Sequence, residues 1–323
     1  MKKYINYYYN LSVNNIYFRD SKYFFTSDNN NYILELCNNM IISEYYNDLI
    51  KQIAKNPFFS TIVINKDGNL ITVIDNKPYV LLKVKNISNE EISIFDIKNN
   101  LYVDVTGKLN IINHFPWIKL WERKIDNLED WFLNKTSKYK ELYALFNYYI
   151  GISENALLYL KQTLINEQIE ESDNLMIQHS RVGVNTSLYE YYDPINIIID
   201  HHSRDISEYV KSSFLNYNWD IRLLDDYLKK NHFSRYGLMV MYSRILFPSF
   251  FFDYLDKMIS ENKNIDLLYL ESRTNEFQDF LKQISNFFVD KYNIEPVEWI
   301  IKKTWVIHSC HQCFLLQQLQ VFR

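Results

Sequence analysis

The stretch that decides the fold is NLMIQHSRVGVNTSLYEYYDPINIIIDHHSRDISEYVK, Asn174 to Lys211. It contains two apolar runs, Leu175 to Ile177 and Ile195 to Ile199. The first leads into His179, the second ends at Asp200, and Asn185 lies between them. Short apolar runs bounded by polar and turn residues read as buried strands. Strands that each deliver a proton-holding or cation-holding side chain at their end read as an active-site segment.

Upstream, Asn15-Ile16-Tyr17-Phe18, Tyr23-Phe24-Phe25-Thr26 and Tyr32-Ile33-Leu34-Glu35-Leu36 read as strands separated by turn-rich residues. Ser43 is placed to cap a helix to about Lys55, with Tyr46, Ile50 and Ile53 on one face. Thr61 to Ile64 and Asn69 to Ile74 flank Lys66-Asp67-Gly68 and predict a hairpin. Pro78 to Val84 completes a small sheet. The order is three strands, one helix and three more strands.

From Trp117 the period becomes helical, with Leu120, Trp121, Ile125, Leu128 and Trp131 on one stripe. Tyr139 to about Ile165 continues helical, with a break expected at Gly151 to Glu154. Beyond the central segment, helices are predicted from Asp205 to Phe214 with Asp205 as N-cap, and over 220–230, 236–247, 249–260 and 275–291. Pro248 separates two of them, because it cannot continue the preceding helix.

Composition narrows the function classes. The chain has 323 residues, enough for two lobes with sizeable cores. A net charge of −4 gives no electrostatic case for nucleic acid. No segment approaches the ~18 unbroken apolar residues of a membrane span, and the N-terminus lacks the apolar region of a signal peptide. Cys37, Cys310 and Cys313 are too few for a disulfide framework and suit the cytosol. The 27 Tyr recur with apolar partners and are expected in the core. Near the C-terminus, Cys310 and Cys313 with His308 and His311 form a weak zinc candidate, because no second ligand pair accompanies them. Residues 306–323 are expected to be an atypical, weakly packed tail.

The strand–His, Asn, strand–Asp layout resembles that of kinase-like small-molecule phosphotransferases. The segments HFPWIKLWERKIDNLEDWF, DHHSRDISEYVK and YSRILFPSFFFDYL, in that order, resemble the spore-coat kinase-like family of endospore-forming Firmicutes, of YutH and CotS type. That family is related to aminoglycoside and choline phosphotransferases. The resemblance implies an α+β, protein-kinase-like two-lobe fold, with a small antiparallel β N-lobe over 1–85 and a helical C-lobe over 86–305. It implies spore-coat proteins as partners and a cytoplasmic location leading to the coat of the developing spore.

Phosphoryl transfer on that fold needs a loop over the phosphates, a Lys on them, a base and Mg²⁺ ligands. The first glycine is Gly68, beyond the strands that should hold the loop. By resemblance the phosphate-binding Lys position holds Glu35, and the base position, two residues after His179, holds Arg181, which accepts no proton. Asn185 and Asp200 remain as residual nucleotide and metal ligands. The plainer reading of Asp200 is a loop carboxylate bonded to nearby His201, His202 or Arg204, and an Arg204 pair would close the loop without metal. His179 reads as structural, bonded to loop backbone. Arg181 and Arg204 together are a candidate anion site. These readings point to a degenerate, non-catalytic scaffold with no cofactor expected, and Mg²⁺–ATP as its ligand only where residual binding survives. Two alternatives stand beside it: an ATP-dependent phosphotransferase with an atypical site, and a cytosolic binding protein using the former cleft.

Overall fold

A computed structural model describes residues 1–37, 50–51, 53–85, 90–97, 115–134, 140–173, 175–261 and 263–302. It divides into two compact units, Met1–Ile112 with Ile169–Gly237, and Asn113–Gln168 with Leu238–Arg323.

The first unit opens with α1 (Lys2–Tyr9), followed by β1 (Ile16–Arg19), β2 (Lys22–Ser27), β3 (Asn30–Leu36), β4 (Thr61–Val63), β5 (Ile71–Ile74) and β6 (Lys77–Val84). The sheet is antiparallel in the order β1-β2-β3-β6-β4, and β5 also pairs with β6. Three tight turns set its register. Asp20-Ser21, Asp28-Asn29 and Asp75-Asn76 all have positive φ at both positions, as two-residue hairpins of the favoured twist require. Each turn fixes its strand pairs by arithmetic, so that Lys22 falls opposite Glu35.

Both faces of the sheet are covered. Ile5 and Tyr9 of α1 pack with Phe25, Tyr32, Leu34 and Leu81 on one side. Phe24, Ile33, Val80, Leu82 and Val84 pack with Tyr189 on the other. Two buried faces explain why the strands read as nearly continuous apolar runs.

The same unit continues with β7 (Leu175–His179) and β8 (Ile197–His201), an antiparallel pair in which Met176 faces Asp200 and His179 faces Ile197. Their connection holds a short helix, Leu188–Tyr191, closed by a reciprocal Ser187–Glu190 cap. A helix over Ser203–Leu215 follows β8 directly, and another spans Ile221–Lys230 with Asp220 as N-cap.

The second unit is helical, with Phe115–Leu133, Tyr143–Asn166, Ser249–Ser260, Leu267–Tyr292 and Glu298–Lys302 joined by the greater part of Arg235–Leu246. Its core is aromatic, as the composition predicts. Trp121 stacks on Phe247 at 4.3 Å and Tyr149 on Phe251 at 4.1 Å. Two of its buried tyrosine hydroxyls are paired, Tyr242 with Ser285 at 2.7 Å and Tyr149 with Thr274 at 2.9 Å, as most buried polar groups are.

Several expectations are corrected. Helix α1 is absent from the sequence reading, although Ile5 and Tyr9 stand four residues apart on one face. The expected 61–64/69–74 hairpin does not pair with itself. Both strands add to β6 instead, Thr61 to Val63 against Leu81 to Lys83 and Ile71 to Ile74 against Lys77 to Val80. Helix Tyr143–Asn166 runs through Gly151 without a break. The long C-terminal helix begins at Leu267 and not at 275, capped by Asp266. The helix after β8 begins at Ser203, so Asp205 lies inside its first turn and is not the cap. The expected Ser43–Lys55 helix falls largely outside the described residues, as do Gly107, His308, Cys310, His311 and Cys313.

Candidate functional site

Strand alternation puts Lys22 and Phe24 of β2 on the sheet face that also carries Ile33 and Glu35 of β3. Glu35 is thus a carboxylate on an apolar, covered face, and an unpaired charge there is costly. Lys22 answers it, with Nζ 2.7 Å from Glu35 Oε2 and 3.8 Å from Asp193 Oδ2. Burial alone would lower the Lys22 pKa, but Glu35 and Asp193 outweigh it and hold the ammonium above its ordinary range. Burial and the neighbouring Glu35 push Asp193 well above the ordinary aspartate range, against the pull of Lys22. Asp193 is held by the Ile195 N–H at 2.8 Å. An internal cluster therefore ties β2 and β3 to the segment that leads into β8. Lys22 and Asp193 escape a reading by motif, yet the Asp28-Asn29 turn register already pairs Lys22 with Glu35.

The β1–β2 connection is the two-residue Asp20-Ser21 turn, with φ of 50° and 63°. It is a closed hairpin, with no run of free backbone amides to wrap a phosphate chain.

At the end of β7, Asp205 accepts the His179 backbone N–H at 2.9 Å and lies 2.6 Å from His179 Nδ1. The partner of His179 is thus a buried carboxylate and not loop backbone. Its ring packs on Tyr191 at 4.2 Å. Gln178 Oε1 accepts the Asp205 N–H at 2.9 Å. Arg204 donates through Nε to the His179 carbonyl at 2.7 Å, through Nη2 to the Ser180 carbonyl at 3.0 Å, and through Nη1 to Asp200 Oδ2 at 3.4 Å. The expected Arg204–Asp200 pair is present. Asp200 Oδ1 accepts the His201 N–H at 2.7 Å, so both carboxylate oxygens are engaged by the protein.

The remaining sequence-predicted residues diverge. Asn185 is exposed and donates to Asn216 Oδ1 at 3.0 Å, at the end of helix Ser203–Leu215. Asn185 and Asp200 are therefore committed to different partners. Arg181 is exposed, and its charge acts on Glu208. Burial opposes the Glu208 charge, but Lys211 at 2.8 Å, Arg204 and Arg181 together lower its carboxyl to about 2. The charges of Arg181 and Arg204 thus both act on a carboxylate that the protein itself supplies.

A second cluster has no counterpart in the sequence reading. His201 Nε2 lies 3.3 Å from Asp173 Oδ1, and Ser234 Oγ donates to both Asp173 oxygens at 2.6 and 2.7 Å. His202 lies beside them and is buried, and no hydrogen-bond partner for its Nε2 is found among the described residues. Burial lowers the His202 pKa to about 3.

Comparison with known proteins places this geometry. The pattern of the family described as "Spore coat putative kinase YutH" matches residues 2–290. The chain is 28% identical over 292 residues to the endospore coat-associated protein YutH of Bacillus subtilis (strain 168), covering 80% of this chain and 84% of that one. Among solved structures, an aminoglycoside phosphotransferase from Alicyclobacillus acidocaldarius superposes with a TM-score of 0.61 at 11% identity, covering 86% of this chain and 93% of its own. A spectinomycin phosphotransferase solved with ADP and spectinomycin superposes with a TM-score of 0.52 at 12% identity, covering 87% and 92%. By sequence and by fold together, the chain belongs to the spore coat YutH family and has the protein-kinase-like fold of the aminoglycoside phosphotransferases, with an antiparallel β N-lobe and a helical C-lobe.

Proposed function

We propose that this chain is a non-catalytic, kinase-folded protein that acts in spore-coat assembly through protein partners. The observation that carries the reading is the Lys22–Glu35–Asp193 cluster. It puts two carboxyl groups against one ammonium on the sheet face where a phosphotransferase of this fold needs net positive charge for a triphosphate. The closed Asp20-Ser21 turn, Arg181 in the base position, and the tie between Asp200 and Arg204 support it. Membership in a coat-associated family supports the coat as destination. No described helix is long and apolar enough to cross a membrane.

The test is thermal unfolding of the purified chain with and without millimolar Mg²⁺–ATP, with Mg²⁺ alone as control. A ligand of the folded state must raise the midpoint by mass action. No shift is expected. A Mg²⁺-dependent shift abolished by Asp200→Ala would instead support an ATP-dependent phosphotransferase with an atypical site. A fluorescent fusion in sporulating Bacillus subtilis should collect around the forespore; diffuse signal throughout sporulation would remove the coat role.

A further inference from the structure

The Asp173, His201 and His202 cluster lies on the first unit, at the junction between β8 and the helix that follows it. Asp173 and His201 are 0% exposed and His202 is 2% exposed. One ligand atom from each, a carboxylate oxygen and two imidazole nitrogens, lies within 4.8 Å of the other two. The residues come from three places in the chain: the approach to β7, the end of β8, and the first position beyond it. His201 and His202 reach one point although adjacent, because the chain leaves the strand between them and strand alternation ends there.

Three observations point to a cation and not merely to a hydrogen-bonded knot. The buried His202 Nε2 has no hydrogen-bond partner among the described residues. A buried polar atom left unpaired is destabilising, and a metal bond would remove that cost. Gly237 faces the cluster. A Cβ there would stand 3.0 Å from Asp173 Oδ1 and 3.3 Å from His202 Nε2, so the missing side chain keeps the space beside these atoms open. The 3.3 Å between His201 Nε2 and Asp173 Oδ1 is near the roughly 3.4 Å that separates two ligands of a tetrahedral ion with bonds of about 2.1 Å.

We propose that Asp173, His201 and His202 form a structural site for a zinc-class divalent cation. Two imidazoles and one carboxylate suit a borderline ion better than Mg²⁺ or Ca²⁺, which take oxygen ligands. His201 Nδ1 lies 2.8 Å from Ser203 Oγ and accepts the Ser203 N–H at 3.1 Å. Binding through Nε2 moves the His201 proton to Nδ1, where Ser203 Oγ accepts it, and the longer 3.1 Å bond is given up. Metal-bound histidines commonly donate their second nitrogen in this way. Ser234 orients Asp173 through its two short bonds. The ion would tie the approach to β7 to the start of the helix that carries Arg204 and Asp205.

The test uses the full chain carrying C310S and C313S, which removes the thiolates of the C-terminal C-x-x-C. After chelator treatment, Zn²⁺ is titrated in competition with a chromophoric chelator, and thermal unfolding is followed with and without Zn²⁺. One equivalent should bind and raise the midpoint. His202→Gln and Gly237→Ala should each weaken binding at least about tenfold, the second by filling the space while leaving all three ligands in place. Co²⁺ in place of Zn²⁺ should give the visible absorption of a four-coordinate nitrogen–oxygen site. No tight equivalent in the C310S/C313S chain would overturn the proposal, as would one that both His202→Gln and Gly237→Ala leave unchanged.

Discussion

Lys22 and Glu35 are direct cross-strand partners in β2 and β3, and their side chains meet at 2.7 Å. The pair does on the sheet what a lysine and a bound triphosphate would otherwise do: it neutralises charge on a covered face. Removing Lys22 leaves Glu35 and Asp193 together without a cation. Lys22→Met should destabilise the chain by about 3 kcal/mol, the usual cost of breaking a buried pair. Lys22→Met with Glu35→Leu should recover part of that loss. Urea unfolding of the three chains checks both, and a double variant less stable than Lys22→Met alone would contradict the account.

Glu208 makes stability depend on acid. Its carboxyl is lowered to about 2 by Lys211, Arg204 and Arg181 against the effect of burial. A carboxyl depressed in the folded state stabilises above its unfolded value of about 4.5 and loses that contribution as pH falls through about 2. The contribution above pH 4.5 is on the order of 3 kcal/mol. The difference in unfolding free energy between the wild type and Glu208→Gln should therefore be largest near neutral pH and shrink between pH 4.5 and 2. A difference constant across that window would refute the assignment.

Asp205 should matter for folding rather than for catalysis. It accepts the His179 backbone N–H and meets the His179 ring, all in a buried setting. Asp205→Ala should cost about 3 kcal/mol, and Asp205→Asn less, since the amide oxygen can still accept one bond. Chemical denaturation measures both. Equal losses in the two variants would mean that side-chain volume and not hydrogen bonding is at stake.

On the proposed reading, in which Arg181 stands where the base would be, a carboxylate at that position should not confer nucleotide turnover. Arg181→Asp leaves Glu35, Lys22 and the closed Asp20-Ser21 turn as they are. It also removes one of the cations that hold Glu208 charged. The variant is expected to show no Mg²⁺–ATP-dependent shift in melting and to be less stable than wild type near neutral pH. Nucleotide turnover by this variant would place the defect at Arg181 alone.

The Asp20-Ser21 turn holds Ser21 at φ 63°, a conformation that side chains with a Cβ disfavour. Ser21→Gly makes the Asp-Gly pair preferred by such turns. Relief of the positive-φ strain should outweigh the extra chain entropy that glycine loses on folding, for a net stabilisation of a few tenths to about 1 kcal/mol. A loss of stability would show that Ser21 makes a contact outweighing the strain.

The strands and most helices are readable because their signals are local. Apolar runs broken by Asp-Ser and Asp-Asn turns mark β1 to β3 and fix their register, and Pro248 marks a helix boundary. The failures come where a local signal is overridden by a partner farther along the chain. Thr61 to Ile64 and Asn69 to Ile74 look like a hairpin because a turn lies between them, but β6 is long enough to pair with both. Asp205 looks like an N-cap by residue type, but the helix starts at Ser203 and Asp205, inside its first turn, binds His179 instead.

By itself the sequence determines the family and the fold class, and it names Glu35 and Arg181 as the residues expected at the phosphate-binding lysine and base positions. The Lys22–Glu35 register becomes a count of residues once the structure places the two-residue turn at Asp28-Asn29. Tertiary structure alone decides that Asp193 arrives beside Lys22, that Arg181 and Arg204 share Glu208, and that Asp173, His201 and His202 meet beside Gly237. The physical reason is range. Turn and helix signals act over a few residues, whereas these convergences depend on how a packed core closes, and each core contact is non-directional and individually weak.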